Sequence, residues 1–162
     1  ALCTLTALPQ GFALKWPNDL LLNGGKVSGI LLESLGTTDT VDRLAIGIGV
    51  NLIAAPGLGQ GEPGALAPVS VLAETGLRIA PETLLDCLAP AFARWDGLLE
   101  SQGFAPVRAA WLDRAARLGE AVTARTGTTT LQGIFDTIDD TGALVLRTPK
   151  GTETLPAADI FF

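Results

Sequence analysis

The chain has 162 residues, 48% of them hydrophobic, carries a formal net charge of -6, and contains no His, Tyr or Met. Without His there is no Ser-His-Asp or Cys-His nucleophile pair, no His-ligated zinc and no imidazole base near neutral pH, so any chemistry must rest on Lys, Arg, carboxylates, amides or a bound ion. The acidic balance argues against nonspecific binding to nucleic acid or to anionic membranes.

From Gly11 to Leu52 the apolar runs Phe12 to Trp16, Leu20 to Leu22, Val27 to Leu32 and Leu44 to Leu52 are short and punctuated by Gly and Asn, which predicts strands. Ala54 to Pro68 carries Pro56, Pro63 and Pro68 among glycines and reads as an irregular loop. Val69 to Glu74 reads as a short helix stopped by Gly76. A longer helix opens on Pro81 and Glu82, buries Leu84, Leu85, Leu88, Phe92, Trp95 and Leu99 at helical spacing, and stops at Gly103. Pro90 should kink or split it. Pro106 to Leu118 predicts a third helix, burying Val107, Ala110, Trp111 and Leu118, and the three aromatics Phe92, Trp95 and Trp111 are expected in the core.

At Gly119 the period changes. Ala121 to Arg125, Thr130 to Ile138, Ala143 to Thr148 and Glu153 to Leu155 read as strands joined by turns at Thr126-Gly127, Asp139 to Gly142 and Lys150-Gly151. Four or five antiparallel strands of this length close as a small barrel docked on the helices. Cys3 and Cys87 are too few for a disulfide framework, no stretch has the form of a signal peptide, and no apolar run reaches the roughly 20 residues that span a bilayer. The expectation is a cytoplasmic protein with no membrane segment.

Two of the three lysines, Lys15 and Lys26, lie close together in a chain that otherwise prefers Arg. A Lys offers a compact charge to phosphate or carboxylate oxygens. With a two-residue turn at Gly24-Gly25, Asn23 would sit opposite Lys26 and Asp19 opposite Ile30. Asp19, Leu21, Asn23, Lys26 and Ser28 would then share a face, with Asp19 about 13 Å along the strand from Asn23, so that Asp19 and Lys26 reach different parts of an extended ligand. The same residues also read, and on their own more simply, as a turn carboxylate after Pro17 and a solvated hairpin lysine. In Ile46 to Leu52, alternation places Ile46, Ile48, Val50 and Leu52 on one face, expected to be core, and Gly47, Gly49 and Asn51 on the other. Two glycines on one face indicate close approach by a ligand or by a packed segment.

Lys15-Trp16-Pro17-Asn18-Asp19, then Gly25-Lys26-Val27-Ser28-Gly29-Ile30-Leu31-Leu32-Glu33, then Gly47-Ile48-Gly49-Val50-Asn51-Leu52 resemble, in order and spacing, the catalytic domain of the biotin protein ligases. The resemblance covers nearly the whole chain. It implies an α+β fold, in which part of a mixed sheet with packed helices (residues 1–118) precedes a small Src-homology-3-like β-barrel (residues 119–162). It also implies ATP-dependent activation of biotin to biotinyl-5′-adenylate with Mg²⁺, then transfer to a lysine of the biotin carboxyl carrier protein of acetyl-CoA carboxylase. By that resemblance Lys26 is catalytic and touches biotin and phosphoryl oxygens. Asp19 is a catalytic carboxylate near Mg²⁺ and nucleotide, Asn18, Asn51 and Lys15 are nucleotide contacts, and Gly29 and Gly49 leave room for biotin and adenylate. Trp16 is expected to pack rather than to wall the biotin site. Homodimerisation through sheet edges is a further family expectation.

The sequence departs from that family in one large respect. Its GRGRxGR-type loop, which closes over biotin and phosphate and precedes the Lys-Trp-Pro-Asn-Asp segment, is not among these residues, nor are the contacts to the biotin ureido ring. A chain that begins with Ala and has no Met is expected to have lost an upstream segment, and with it most of its activity. Repressor members of the family carry a helix-turn-helix upstream as well. A lipoate ligase and a non-catalytic module for protein contacts are the competing readings.

Overall fold

The computed structural model describes residues 1–37, 40–57, 65–127 and 129–162. It has the expected α+β composition, arranged as two antiparallel sheets with helices between them in sequence. A short helix α1 (Leu2–Thr6) leads through a 3-10 turn at Pro9–Gly11 into β1 (Phe12–Lys15), β2 (Asp19–Leu22), β3 (Gly25–Thr37) and β4 (Thr40–Val50). These pair as consecutive neighbours in the order β1-β2-β3-β4, all antiparallel. Among the described residues the parallel contacts of this part of the chain are the isolated bridges Leu14 to Ala115 and Lys26 to Pro68.

The turn from β2 to β3 departs from the expected register. Asn23 (φ 49°) and Gly24 (φ 85°) take the two left-handed positions, the pairing of conformations that a two-residue hairpin loop demands. Leu22 therefore faces Gly25 and Leu21 faces Lys26, and a bulge that leaves Val27 unopposed then places Leu20 against Ser28 and Asp19 against Gly29. Moving the turn by one residue shifts the partner of Lys26 by two, from Asn23 to Leu21, and the bulge gives one residue back, so Asp19 meets Gly29 rather than Ile30.

Helix α2 (Val71–Thr75) is capped by Ser70, whose hydroxyl accepts from Ala73 N at 3.2 Å, and is ended by Gly76 in the left-handed region. Helix α3 (Pro81–Gln102) runs unsplit through Pro90. Pro90 removes the usual hydrogen bond to the Asp86 carbonyl, at an exposed residue of the helix. Helix α4 (Phe104–Leu112) stops before the predicted end at Leu118. The backbone beyond it is taken up by β1, with Leu14 N donating to Arg114 O and Ala116 N to Leu14 O, both at 2.8 Å. Leu118 is exposed rather than buried.

The second sheet holds β5 (Ala121–Arg125), β6 (Thr130–Ile138), β7 (Leu144–Thr148), β8 (Gly151–Leu155) and β9 (Asp159–Phe161), in the order β8-β7-β6-β5-β9. Strand β9 lies beyond the last predicted strand. The five strands form a small barrel-like unit around Val122, Ala124, Phe135, Ile138, Leu144, Leu146 and Ile160. Trp111 packs on this core, its ring 6.3 Å from that of Phe135. Phe92 and Trp95, expected beside it, are instead 45% and 38% exposed. The apolar stripe of α3 has no covering element among the described residues, and Leu84 is the buried residue of that helix. A separate core joins Leu2, Phe12, Leu22, Val27, Leu52, Val71, Ile79 and Leu84 at one end of the first sheet.

Candidate functional site

The Lys-Trp-Pro-Asn-Asp segment forms the link between β1 and β2. At its head Trp16 is buried in the barrel core, its indole Nε1 donating to Gly142 O at 3.0 Å, so it packs as expected. At its other end Asn18 is tied to β3 twice. Its Nδ2 donates to Ile30 O at 2.7 Å, and its carbonyl accepts from Ile30 N at 2.9 Å. These anchors fix Asp19 as the first residue of β2, directly across from Gly29.

Around Asp19 the structure gathers both nearby lysines. Lys26 Nζ lies 2.6 Å from Asp19 Oδ1, and Lys15 Nζ lies 3.5 Å from Asp19 Oδ2. The Lys26 side chain is 43% exposed while those of Lys15 and Asp19 are nearly covered, so the Lys26 amine is the accessible member of the triad. A Cβ on Gly29 would meet Lys26 Cε and Nζ at 3.4 Å and Asp19 Oδ1 at 3.6 Å, which puts the amine directly over the glycine backbone. The expectation that Asp19 and Lys26 stand far apart is thus overturned. The bulge at Val27 turns Lys26 onto the face of Gly29, while Ser28 is buried on the other side.

An open groove of about 510 Å³ extends from this triad across β3 and β4, lined by Asn18, Asp19, Lys26, Gly29, Gly47 and Gly49 together with Ile30, Leu31 and Ile48. Gly29 faces Gly49, and Gly47 faces Leu31. A Cβ at Gly47 or Gly49 would make only ordinary contacts, at 3.7 Å or beyond. The chain's own packing does not require glycine there, and the bare strands leave depth for a ligand. The groove combines one cation, Lys26, one carboxylate, Asp19, and exposed peptide groups, with Lys15 nearly covered beside Asp19, a donor set suited to a phosphate or carboxylate ligand. Among the described residues no three His, Cys, Asp or Glu side chains converge, so Asp19 stands as a single carboxylate and not as part of a protein-built metal cage.

Two predicted site residues, Asn51 and Lys15, lie outside the groove lining, Lys15 although it stands beside Asp19, and Asn23, predicted on the same strand face, turns away. Asn23 points to α2 and donates to Glu74 Oε2 at 2.8 Å. Asn51, just past β4, is outside the groove lining, and its Nδ2 donates to Val69 O at 3.0 Å and to Lys26 O at 3.5 Å. Of the face predicted to be core, Leu52 is buried, but Ile46 and Ile48 are exposed because no described element covers that half of the sheet. The sequence places Gly25 in a turn, whereas in the structure it lies against Val69. Only a partner distant in sequence reveals it.

Residues 118–162 match the family model of the biotin protein ligase C-terminal domain, and residues 9–51 match that of the biotin/lipoate A/B protein ligase family. A biotin--[acetyl-CoA-carboxylase] ligase of Paracoccus denitrificans is 62% identical over 150 residues, covering 93% of this chain and 62% of that protein. The bifunctional ligase/repressor BirA of Bacillus subtilis strain 168 is 33% identical over 147 residues, covering 91% of this chain and 45% of that one. The apo biotin protein ligase of Aquifex aeolicus superimposes with a TM-score of 0.82 at 22% identity, over 98% of this chain and 68% of that chain. Its complex with biotin and ATP gives a TM-score of 0.78 at 23% identity, over 98% and 64%. The chain therefore spans about half to two thirds of the length of these relatives.

Proposed function

The chain belongs to the biotin protein ligase family, and from that premise we propose that its glycine-floored groove takes part in ATP-dependent formation of biotinyl-5′-adenylate. The observation that carries this reading is the Lys26 amine, held 2.6 Å from Asp19 and directly above Gly29. In the first step a biotin carboxylate oxygen attacks the α-phosphorus of ATP, forming the acyl phosphate anhydride as the bond to pyrophosphate breaks. Two anions must approach, so a fixed cation between carboxylate and α-phosphate lowers the barrier. We assign that role to Lys26, with Lys15 as a weaker phosphate contact.

Asp19 holds Lys26 in place before ligand enters. Asn18 fixes the adenylate end of the groove by clamping it to Ile30, and Gly29 and Gly49 leave space for biotin and adenylate. Magnesium ordinarily reaches such sites on the nucleotide's own phosphates with one or two protein carboxylates. Asp19 fits that single place, and the ion would supply further charge neutralisation of the triphosphate. In the second step the lysine amine of a biotin carboxyl carrier protein attacks the acyl carbon and AMP leaves.

We keep the boundary between the catalytic part and the barrel at Leu118-Gly119, where the sequence pattern changes, a reading supported by a match to the C-terminal family model that begins at residue 118. Among the described residues no helix is long and apolar enough to cross a membrane, and we place the protein in the cytoplasm, where its carrier substrate would be made. Homodimerisation and the absence of nucleic-acid binding by these residues remain part of the proposal. Among the described residues the groove's lining holds one cation, Lys26, and no Arg, so residues 1–162 alone should bind adenylate weakly and turn over slowly.

The test is calorimetric titration of the chain with a non-hydrolysable biotinyl-adenylate analogue. Lys26→Ala should weaken binding by roughly 100-fold, the scale of losing one preorganised charge-stabilising donor. Unchanged affinity in that variant would favour a non-catalytic module instead.

A further inference from the structure

Lys26 is gripped along its backbone by residues far away in the sequence. Ala67 to Val69 run parallel to it as a short strap, with Lys26 N donating to Ala67 O at 3.0 Å and Val69 N donating to Lys26 O at 2.9 Å. Both main-chain hydrogen-bonding groups of the lysine are therefore committed to this strap. Two residues set how closely it seats.

Gly25 is the first. A Cβ there would lie 2.3 Å from Val69 Cγ1, 3.0 Å from Val69 Cγ2 and 3.1 Å from Ala67 O, so the strap reaches its position only because the side chain is absent. Asn51 is the second. Its Nδ2 holds Val69 O and Lys26 O, while its own N donates to Val27 O at 2.9 Å and its carbonyl accepts from Val71 N at 2.8 Å. Through its side-chain amide and its main chain this one residue joins β3, the strap and the start of α2, immediately behind the residue whose amine faces the groove.

We propose that Gly25 and Asn51 are positioning residues, which set the reach of Lys26 Nζ over Gly29 by seating the 67–69 strap on the lysine backbone. The proposal rests on the assignment of Lys26 to phosphate and carboxylate contact. It gives Asn51 a task other than touching nucleotide, and gives Gly25 one other than turning the chain. A main chain displaced at Lys26 carries its amine away from both Asp19 and the glycine floor. Catalytic groups tolerate little such error, since misplacement of about 1 Å can cost roughly 100-fold in rate.

The test uses the scarcity of lysine. With Lys15, Lys26 and Lys150 the only lysines of the chain, their Cε resonances in protein labelled with ¹³C-lysine can be assigned by single substitutions. In Gly25→Ala the Lys26 resonance should move toward that of the exposed Lys150, which itself stays fixed. Adding Val69→Ala removes both methyls that clash and should return the Lys26 resonance. Asn51→Ala should give a smaller shift in the same direction.

Affinity for the biotinyl-adenylate analogue should follow, falling roughly tenfold in Gly25→Ala and recovering in the double variant. A lower melting temperature with an unmoved Lys26 resonance in folded Gly25→Ala and Asn51→Ala would overturn the proposal, as would a displaced Lys26 that Val69→Ala fails to restore. If Gly25→Ala alone does not fold, Asn51→Ala decides by the same criterion. Displacement and restoration of Lys26 with no change in ligand affinity would leave the positioning intact and remove the ligand assignment.

Discussion

Strands β3 and β4 and strands β6 and β7 are both antiparallel hairpins rich in apolar side chains, yet they treat those side chains oppositely. In the barrel Phe135, Ile138, Leu144 and Leu146 are all buried. Along β3 and β4, Leu31, Leu32, Leu35 and Leu44 are all more than half exposed. Alternation decides which side of a sheet a residue faces, whereas burial needs something to lie on that side. The barrel core is covered by its five strands together with Trp16 and the α4 residues Phe104, Trp111 and Leu112. Among the described residues the first sheet is covered near Val27 and Leu52, by α1, α2 and the start of α3. The candidate groove sits at the margin of that covered end, where the backbone is held firmly but the glycine face stays open.

The largest test of this contrast compares equal truncations in the two hairpins. Leu146→Ala, at a fully buried position, should cost about 2–5 kcal/mol in urea unfolding of the chain. Leu35→Ala, 70% exposed, should change stability by no more than about 0.5 kcal/mol. Similar losses at both sites would show that the outer half of β3 is covered in solution, and the contrast would fail.

A middle-sized effect is expected at the residue that joins the two regions. Trp16 comes from the first sheet's own motif but is buried in the barrel core and donates to Gly142 O. Trp16→Phe keeps an aromatic ring and removes the indole donor, which should cost about 1–2 kcal/mol. If the two regions melt separately in the wild type, this substitution should lower the barrel's transition first. A variant as stable as wild type would mean that the link carries no weight.

How much of this was legible beforehand follows from the range of the interactions involved. Strand positions, the capped α2 and the stop at Gly103 are written in local patterns, and the three motifs identified the family without any three-dimensional information. The register of β2 against β3 was misread because Asn23 and Gly24, rather than Gly24 and Gly25, form the turn, and the bulge at Val27 leaves no mark in the sequence. That single slip is why Lys26 and Asp19 were expected apart and stand in contact. The early end of α4 and the strap beside Lys26 depend on partners about a hundred and about forty residues away, beyond the reach of any periodicity argument. Exposure of Phe92 and Trp95 has the same origin, because a helical stripe predicts a face and not what lies against it.

The smallest predicted effect concerns the barrel turn on which Trp16 rests. Asp139 Oδ1 accepts from the Thr141 hydroxyl at 2.7 Å, from Thr141 N at 2.8 Å and from Ala143 N at 3.0 Å, closing the turn that presents Gly142 O to the indole. The Thr141 hydroxyl bond is the main cause that lowers the carboxyl below its ordinary value of 3.8, helped by the two backbone donors and by Arg108, against a smaller opposing effect of desolvation. A carboxyl whose folded value is depressed stabilises the fold above its unfolded value and loses that contribution as pH falls through the folded one. The turn should therefore be at full strength at neutral pH and weaken as pH drops below about 3.8. Asp139→Asn keeps one acceptor oxygen but cannot ionise, so a series of melts at falling pH should show a shallower loss for this variant than for wild type. Because the carboxylate is open to solvent the difference will be small, and it should appear in the barrel's transition and leave the Lys26 resonance unmoved. Parallel acid dependence in both proteins would show that Asp139 does not set the turn's response to pH.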